Sequence, residues 1–428
     1  MISRFFELPQ HQTTIRQEVI GGLTTFLTMA YIIIVNPSVL SETGMDQSAL
    51  VVITCLVAGL STILMGLVPK VPIAMAPGMG LNAFFAYSIV LGDGISWQIA
   101  LGMVFWAGVL FLIMSVFGAR EKIVAAIPTT LVTAISVGIG LFILFIGVKN
   151  MGLIVDHPAK LVTLGVFTPE VLIGLFGLFL TIALFLRGIN AAILIGIVVA
   201  TLLGFAFGLV NLPAAGMAFN LDISPVAFQL DIMGALEIGF IGTIFALFYT
   251  DLFDTIGTLM ACSKEAGLVQ KDGTIKKFKK MLGVDAIATL MSGVLGTSPT
   301  TSYIESGTGI AAGGRSGLTA VVTGLLFLLA IFFTPLIAIV PAYATAPALI
   351  MVGFMMVRQT AQIPWSDYEE AIPAILTFML MPLSFSIATG LACGFLSWTI
   401  IKMMMGKFSE INWVMYIIAA LSLVSLVV

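Results

Sequence analysis

From Val19 onward the sequence is a succession of apolar runs of roughly bilayer-spanning length, about 20 residues each, divided by short polar connections. A chain patterned in this way satisfies its backbone in lipid by forming membrane-crossing helices and bundling them. Composition agrees: of 428 residues, 60% are hydrophobic and 9% are charged, whereas soluble domains carry roughly 25% charged residues. The 43 glycines, spread through the apolar runs, also fit membrane helices. A formal net charge of -3 is too small to suggest a nucleic-acid partner. Cys55, Cys262 and Cys393 lie far apart in apolar segments, without metal-ligand spacing or a disulfide pattern, and read as small packing residues. No metal and no other cofactor is expected. His11 and His157 lie outside the apolar runs and read as surface residues.

The first 18 residues are polar and mixed in charge, with Arg4, Glu7, Arg16 and Glu18. They lack the form of a cleavable signal, so the run that follows is expected to be the first span. Candidate spans fall near 19–39, 49–68, 74–90, 97–117, 127–148, 169–186 and 190–210, and again near 235–260, 281–297, 301–312, 317–340, 344–357, 371–385 and 387–405. A further apolar run, 411–428, follows them. If the N-terminus is cytoplasmic, Lys70, Arg120, Lys122, Arg187, Arg315, Arg358, Lys402, Lys407 and the cluster Lys264, Lys271, Lys276, Lys277, Lys279 and Lys280 all fall on the cytoplasmic side. Lys149 and Lys160 fall outside, and the connection 211–232 carries no Lys or Arg. This is a strong positive-inside bias. Seven is odd, so a second set of seven sits upside down relative to the first. The expectation is therefore an all-α polytopic membrane protein of 14 segments, with one repeat over 14–210 and an inverted repeat over 233–428. That is a common plan of secondary transporters, which place their substrate near the midplane.

Two segments are short and broken: "MAPGMGLNAFFAY" from Met75 to Tyr87, and "GTSPTTSYIESGTG" from Gly296 to Gly309. Each is the third of its set. Paired interruptions at matching positions point to a binding site. Non-helical backbone at membrane depth has to be enclosed by protein, and each half-helix then presents free N–H groups and a positive dipole end to the enclosed space.

The acids fall in the same region. In "FYTDLFDTIGTL", Phe248 to Leu259, Asp251 and Asp254 lie three residues apart, about 60° around a helix. Thr243, Thr255 and Thr258 share their side, while Leu252, Phe253, Ile256 and Leu259 take the other. An acid at mid-membrane costs about 2.5–3.5 kcal/mol, so this stripe must face a cavity or polar partners. A polar clamp between helices is the plain alternative for either Asp. Glu305 follows the second break and Asn82 the first. Each has a plainer alternative as a helix-start or packing residue. Three carboxylates with no Lys, Arg or His at their depth disfavour an anionic substrate. They suit protons and a ligand rich in N–H donors. Phe84 and Tyr303, beside Asn82 and Glu305, are placed to sandwich a flat ring, with ordinary packing the alternative.

The motifs "APGMGLNAFFAY", "YTDLFDTIGTL" and "GTSPTTSYIESGTGIAAGGRSGLTA", with the opening "EVIGGLTTFLTMAYIIIVNP", closely resemble the hypoxanthine/adenine/guanine permeases. These are the AzgA-like branch of the nucleobase–ascorbate (xanthine/uracil permease) superfamily, and the resemblance covers essentially the whole chain. It implies core parts 17–120 and 233–340, gate parts 121–210 and 341–428, and a homodimer. It also implies that the family's functional positions fall on Asn82, on Asp251 and Asp254, and on Glu305. With the flanking rings read from position, the expected substrate-binding residues are Asn82, Phe84, Asp251, Tyr303 and Glu305, and the coupling proton is expected on Asp254, Asp251 or Glu305. The "DTIG" pattern at 254–257 also resembles the acid-x-x-Gly of more distant uracil and xanthine carriers, which would make Asp254 the substrate-facing acid.

The reading is a proton-coupled importer of purine nucleobases in a bacterial-type inner membrane, multi-pass with a cytoplasmic N-terminus. Its partners are a small purine base, protons and the lipid bilayer, and not nucleic acid. The rivals are a carrier of the same fold for another nucleobase such as xanthine or uracil, or for an anion, and a passive channel. An intramembrane enzyme does not fit. An aspartyl protease needs its two Asp on facing helices, and Glu369–Glu370 lacks both an Arg at the needed spacing and a His in the membrane.

Overall fold

The computed structural model describes residues 2–117, 127–210, 221–270, 274–337 and 339–427. The cytoplasmic placements of Arg120, Lys122 and Lys271, and residues 211–220 of the Lys- and Arg-free connection, lie outside the described residues.

Helical segments stand where the apolar runs predict them. The first set comprises Ile15–Met29 with Ile32–Ser41, Gln47–Leu67, Met79–Ala83 running on into a wider turn over Phe84–Val90, Trp97–Phe117, Thr129–Asn150, Pro169–Leu186 and Ala192–Ala206. The second comprises Ile241–Glu265, Phe278–Leu295, Ser306–Ala311, Gly317–Ala330, Ala342–Val357, Tyr368–Ser384 and Ile387–Met404, and Trp413–Val427 follows. Eight helices among the described residues are long and apolar enough to cross a bilayer, and Met79–Val90, Ala192–Ala206 and Trp413–Leu423 are apolar but shorter. Local chemistry sets many of the starts. Thr14 and Gln17 form a reciprocal cap, Asp46 caps Gln47–Leu67, and Ser386 caps Ile387–Met404; each satisfies amides that the helix leaves open.

The two broken segments meet. Strand β1 (Met75–Pro77) pairs antiparallel with β4 (Thr300–Ser302), Met75 opposite Ser302 and Pro77 opposite Thr300. Between them in the chain, β2 (Ile154–His157) and β3 (Leu161–Leu164) form a separate hairpin, in which His157 Nδ1 accepts from the Ala159 and Lys160 amides. β1 and β4 are wholly buried. Extended backbone has no solvent partner at this depth, so each strand completes the other's hydrogen bonds.

Helix packing repeats the same relationship. Gln47–Leu67 lies on Gly317–Ala330, and Trp97–Phe117 lies on Phe278–Leu295. In the order expected from the sequence, these pairs are segment two with eleven and segment four with nine. A two-fold that exchanges the sets of seven carries one pair onto the other. It carries the pair Thr129–Asn150 with Ala342–Val357, and the β1–β4 ladder, onto themselves. Glycines set the closest contact: a Cβ on Gly317 would stand 2.0 Å from the Gly66 carbonyl oxygen.

Candidate functional site

The site is built around the short ladder. Gly78 N–H donates to the Pro299 carbonyl over 2.9 Å, and Tyr303 N–H donates to the Ala74 carbonyl over 3.0 Å. The Tyr303 hydroxyl reaches back to the Pro77 carbonyl. Thr62 on Gln47–Leu67 grips β1 by both backbone groups of Met75, donating to its carbonyl and accepting from its amide at 2.9 Å each. On the other side, Ser292 Oγ lies 2.7 Å from Thr300 Oγ1. The two half-helix starts are thereby fixed to each other and to the spans around them.

Glu305 occupies the N-cap position of Ser306–Ala311 and is half-buried. Its Oε1 accepts a 2.7 Å hydrogen bond from the Tyr31 hydroxyl. Tyr31 sits at the interruption between Ile15–Met29 and Ile32–Ser41. Asp254 is also half-buried, and its electrostatic neighbours are Glu305 and Asp285, with the Thr301 hydroxyl beside it. Asp254 and Glu305 therefore share one environment.

Asp251 is placed differently. It is fully buried, and its Oδ2 accepts from Thr289 Oγ1 over 2.8 Å. Thr289 lies on Phe278–Leu295, the helix that backs the ladder, so Asp251 makes the polar clamp that the sequence left open as its alternative. Thr255, on the same helix, donates to Asp285 Oδ1 over 2.8 Å and lies 3.2 Å from Thr301 Oγ1. The opposite side of this helix is covered by protein, with Leu252, Phe253, Ile256 and Leu259 all buried.

Asn82 lies in the first turn of the other half-helix, Met79–Ala83, its amide donating to the carbonyl of the N-cap Gly78 over 2.8 Å. Its Nδ2 donates to Asn36 Oδ1 at 3.2 Å, and Asn36 Nδ2 in turn donates to Thr54 and Thr297 at 2.9 and 3.1 Å. The buried Asn82 Oδ1 has no partner among the described residues. Phe84 is 1% exposed and belongs to the central apolar cluster. The structure therefore brings Glu305, Asp254 and Tyr303 into one neighbourhood and sets Asp251 into the helix–helix network. Asn82 is linked through Asn36 to Thr297, at the start of the second broken segment.

Four polar residues escaped the sequence reading. Tyr31 and Asn36 stand in the quoted opening span but have partners distant in the chain. Asp285 lies in the first half of Phe278–Leu295, close behind Lys277, Lys279 and Lys280, and so resembled a segment-end acid. Glu18 looked like part of a polar leader, yet it is fully buried and caps the start of Gly317–Ala330 by accepting from the amides of Arg315, Ser316 and Thr319.

Comparison with known proteins follows this geometry. The xanthine/uracil permease model, described as "Permease family", matches residues 16–393. The adenine permease AdeQ of Escherichia coli is 44% identical over 421 residues, covering 98% of this chain and 95% of that protein. The guanine/hypoxanthine permease PbuG of Bacillus subtilis is 44% identical over 424 residues, covering 96% of each. Among solved structures, the transmembrane domain of the cyanobacterial bicarbonate transporter BicA superposes with a TM-score of 0.65 at 15% identity, covering 89% of this chain and 97% of that domain, a likeness of fold. A match over nearly the whole chain at this identity makes it a multi-pass membrane permease, a transporter rather than an enzyme, and a member of the xanthine/uracil permease family.

Proposed function

We propose that this permease imports purine nucleobases, adenine, guanine or hypoxanthine, together with protons, by alternating access. The observation that carries the reading is that Asp254, within Ile241–Glu265, feels the charge of Glu305, the N-cap of a half-helix, two half-buried carboxylates in one environment. Purines present ring and exocyclic N–H donors. Carboxylates accept these with charge-assisted bonds, about twice as strong as neutral ones. The names of relatives that align over nearly the full chain, an adenine permease and a guanine/hypoxanthine permease, support the same substrate class.

In this reading Glu305 accepts from the purine while Tyr31 holds its other oxygen. Asn82 Oδ1 reads a ring edge, and Phe84 and Tyr303 flank the ring. Asp254 takes the coupling proton, and Asp251 fixes the helix that carries Asp254. Residues 17–120 and 233–340 form a core that holds the base, and 121–210 and 341–428 form a gate against which the core rocks. The protein works as a homodimer in the inner membrane with its N-terminus cytoplasmic.

Uptake of labelled adenine, guanine and hypoxanthine into proteoliposomes tests this. An exterior more acidic than the lumen should drive accumulation and a lumen more acidic than the exterior should slow it, without sodium. Equal accumulation after the gradient is collapsed would remove proton coupling, and no competition by any purine would remove the substrate class.

A further inference from the structure

A second polar cluster lies away from the carboxylate pair, where the ends of four segments meet. The Tyr87 hydroxyl, near the end of the first half-helix, donates to Glu42 Oε1 over 2.9 Å. Asn150, the last residue of Thr129–Asn150, extends its Nδ2 to the same Glu42 oxygen at 3.1 Å and to the Tyr87 hydroxyl at 3.2 Å. The three side chains close a triangle. Glu42 follows the first span and Tyr87 ends the third, both in the part proposed as core, whereas Asn150 ends the fifth, in the part proposed as gate.

Phe385 completes the junction from the other repeat. It follows Tyr368–Ser384 in a left-handed conformation, φ 55°, which is uncommon for a bulky residue and tends to mark functional sites. Its ring meets those of Tyr87, Phe142 and Phe145 edge-on at 6.3, 5.2 and 6.0 Å, and Lys149 Nζ stands 5.6 Å from the ring centre. Ser88 Oγ donates to the Phe385 carbonyl and accepts from the Ile387 amide, at 3.4 Å each. The half-helix that begins after Gly78 is thus fastened at its far end to the gate part by hydrogen bonds on one side and edge-on rings on the other. Tyr87 and Ser88 are buried there.

We infer that Glu42, Tyr87, Asn150 and Phe385 form the external gate of the transport cycle. Closed, as here, they seal the path between the first half-helix and the gate helices. For the site to open outward the triangle must break and Phe385 must leave Tyr87. The inference rests on the alternating-access reading and on the cytoplasmic placement of the N-terminus, which puts all four residues on the outer side. The hydrogen bonds are few and lie near the surface, so opening and closing are both within thermal reach.

The test uses the full-length protein lacking its native cysteines, with a reporter cysteine at Ala83, a buried position one helical turn below Tyr87. Labelling by a membrane-impermeant maleimide is followed in right-side-out and inverted vesicles. Tyr87→Phe keeps the ring and removes the donor, and Glu42→Gln keeps the size and removes the charge. Each should raise the labelling rate from outside by about three- to tenfold, the range set by losing one hydrogen bond, and leave labelling from inside unchanged or slower. Purine binding in detergent should persist in both variants, which shows that they fold. Unchanged outside labelling in both would overturn the inference, and so would acceleration from the inside alone. Loss of binding in both variants would overturn it too, since the cluster would then belong to the site. The labelling readout itself needs no purine; if the parent protein binds none, an unchanged unfolding midpoint in both variants serves as the folding control, so failure of the substrate assignment is told apart from failure of the gate.

Discussion

Asp251 accepts its 2.8 Å hydrogen bond from Thr289, a residue of the neighbouring span, while Asp254, one helical turn on, is half-buried in the environment of Glu305. The matching pair of spans in the first repeat is joined at a comparable place with donor and acceptor exchanged, by Asn36 donating to Thr54 over 2.9 Å. An uncharged amide does in one repeat what Asp251 does in the other, so joining these spans requires no negative charge. Asp251→Asn, which keeps an acceptor for Thr289, should leave purine affinity within about threefold of the parent. Asp254→Asn should bind purine but lose accumulation against a gradient. Calorimetry paired with proteoliposome uptake checks both, and the reverse pattern would exchange the two roles.

Glu305 and Tyr31 give a graded series. Glu305→Gln replaces a charged acceptor by an amide whose NH₂ opposes a purine N–H. Losing a hydrogen bond to a charged group costs about 1.5–3 kcal/mol, or roughly 10- to 150-fold in affinity. Tyr31→Phe leaves the carboxylate and removes only its orienting donor, so a smaller loss of about three- to tenfold is expected. Direct binding measurements on both variants rank them. Parental affinity in Glu305→Gln would mean that the base does not touch Glu305.

Glu18 predicts a stability effect rather than a transport effect. Beyond three amides it accepts from the hydroxyls of Ser316 and Thr319 at 2.8 and 2.6 Å. An anion at a helix start is favoured by the dipole as well. Glu18→Ala strips the start of Gly317–Ala330 of its acceptor and should destabilise the protein by at least about 3 kcal/mol, with Glu18→Gln intermediate. Thermal unfolding in detergent measures the order, and an unshifted midpoint in Glu18→Ala would show that water replaces the carboxylate.

What the sequence made legible is what it stores locally. Span positions follow from runs of apolar residues, and the breaks follow from Pro, Gly and hydroxyl residues that cannot continue a helix, so β1 and β4 could be located, though not their pairing. Asp251, Asp254 and Glu305 stood out because a charge inside an apolar run is costly. The partners did not stand out. Tyr31 and Glu305 are 274 positions apart, and Glu18 and Ser316 are 298 apart, so no local pattern joins them. Asp285 was masked by the lysines just before it. Whether an acid faces a ligand or a neighbouring hydroxyl depends on helix rotation, and three residues of spacing separate Asp251 from Asp254 too little to decide that before the fold is known.

Two glycines near the site give opposite expectations from the same substitution. Gly317 faces Gly66 across the contact of spans two and eleven, where an added Cβ would meet the Gly66 carbonyl oxygen at 2.0 Å and Lys70 Cα at 2.8 Å. Both obstacles are backbone, so the helices must part, and overpacking of this kind costs about 1–3 kcal/mol or more. Gly257 ends the "DTIG" pattern one turn after Asp254, yet a Cβ there meets nothing within 4 Å. In a helix interior, Ala is favoured over Gly by about 0.5–1 kcal/mol, so Gly257→Ala should unfold at the parental temperature or slightly above, whereas Gly317→Ala should unfold well below it. Uptake adds a second reading. Gly317→Ala should lose transport along with stability, because Gly317–Ala330 packs on Gln47–Leu67, whose Thr62 holds β1 of the ladder. Gly257→Ala should transport normally if the open space beside it is lipid or solvent. A stable Gly257→Ala that binds purine but does not move it would instead place Gly257 on a surface that the gate slides across, and the small residue of that pattern would then serve motion rather than packing.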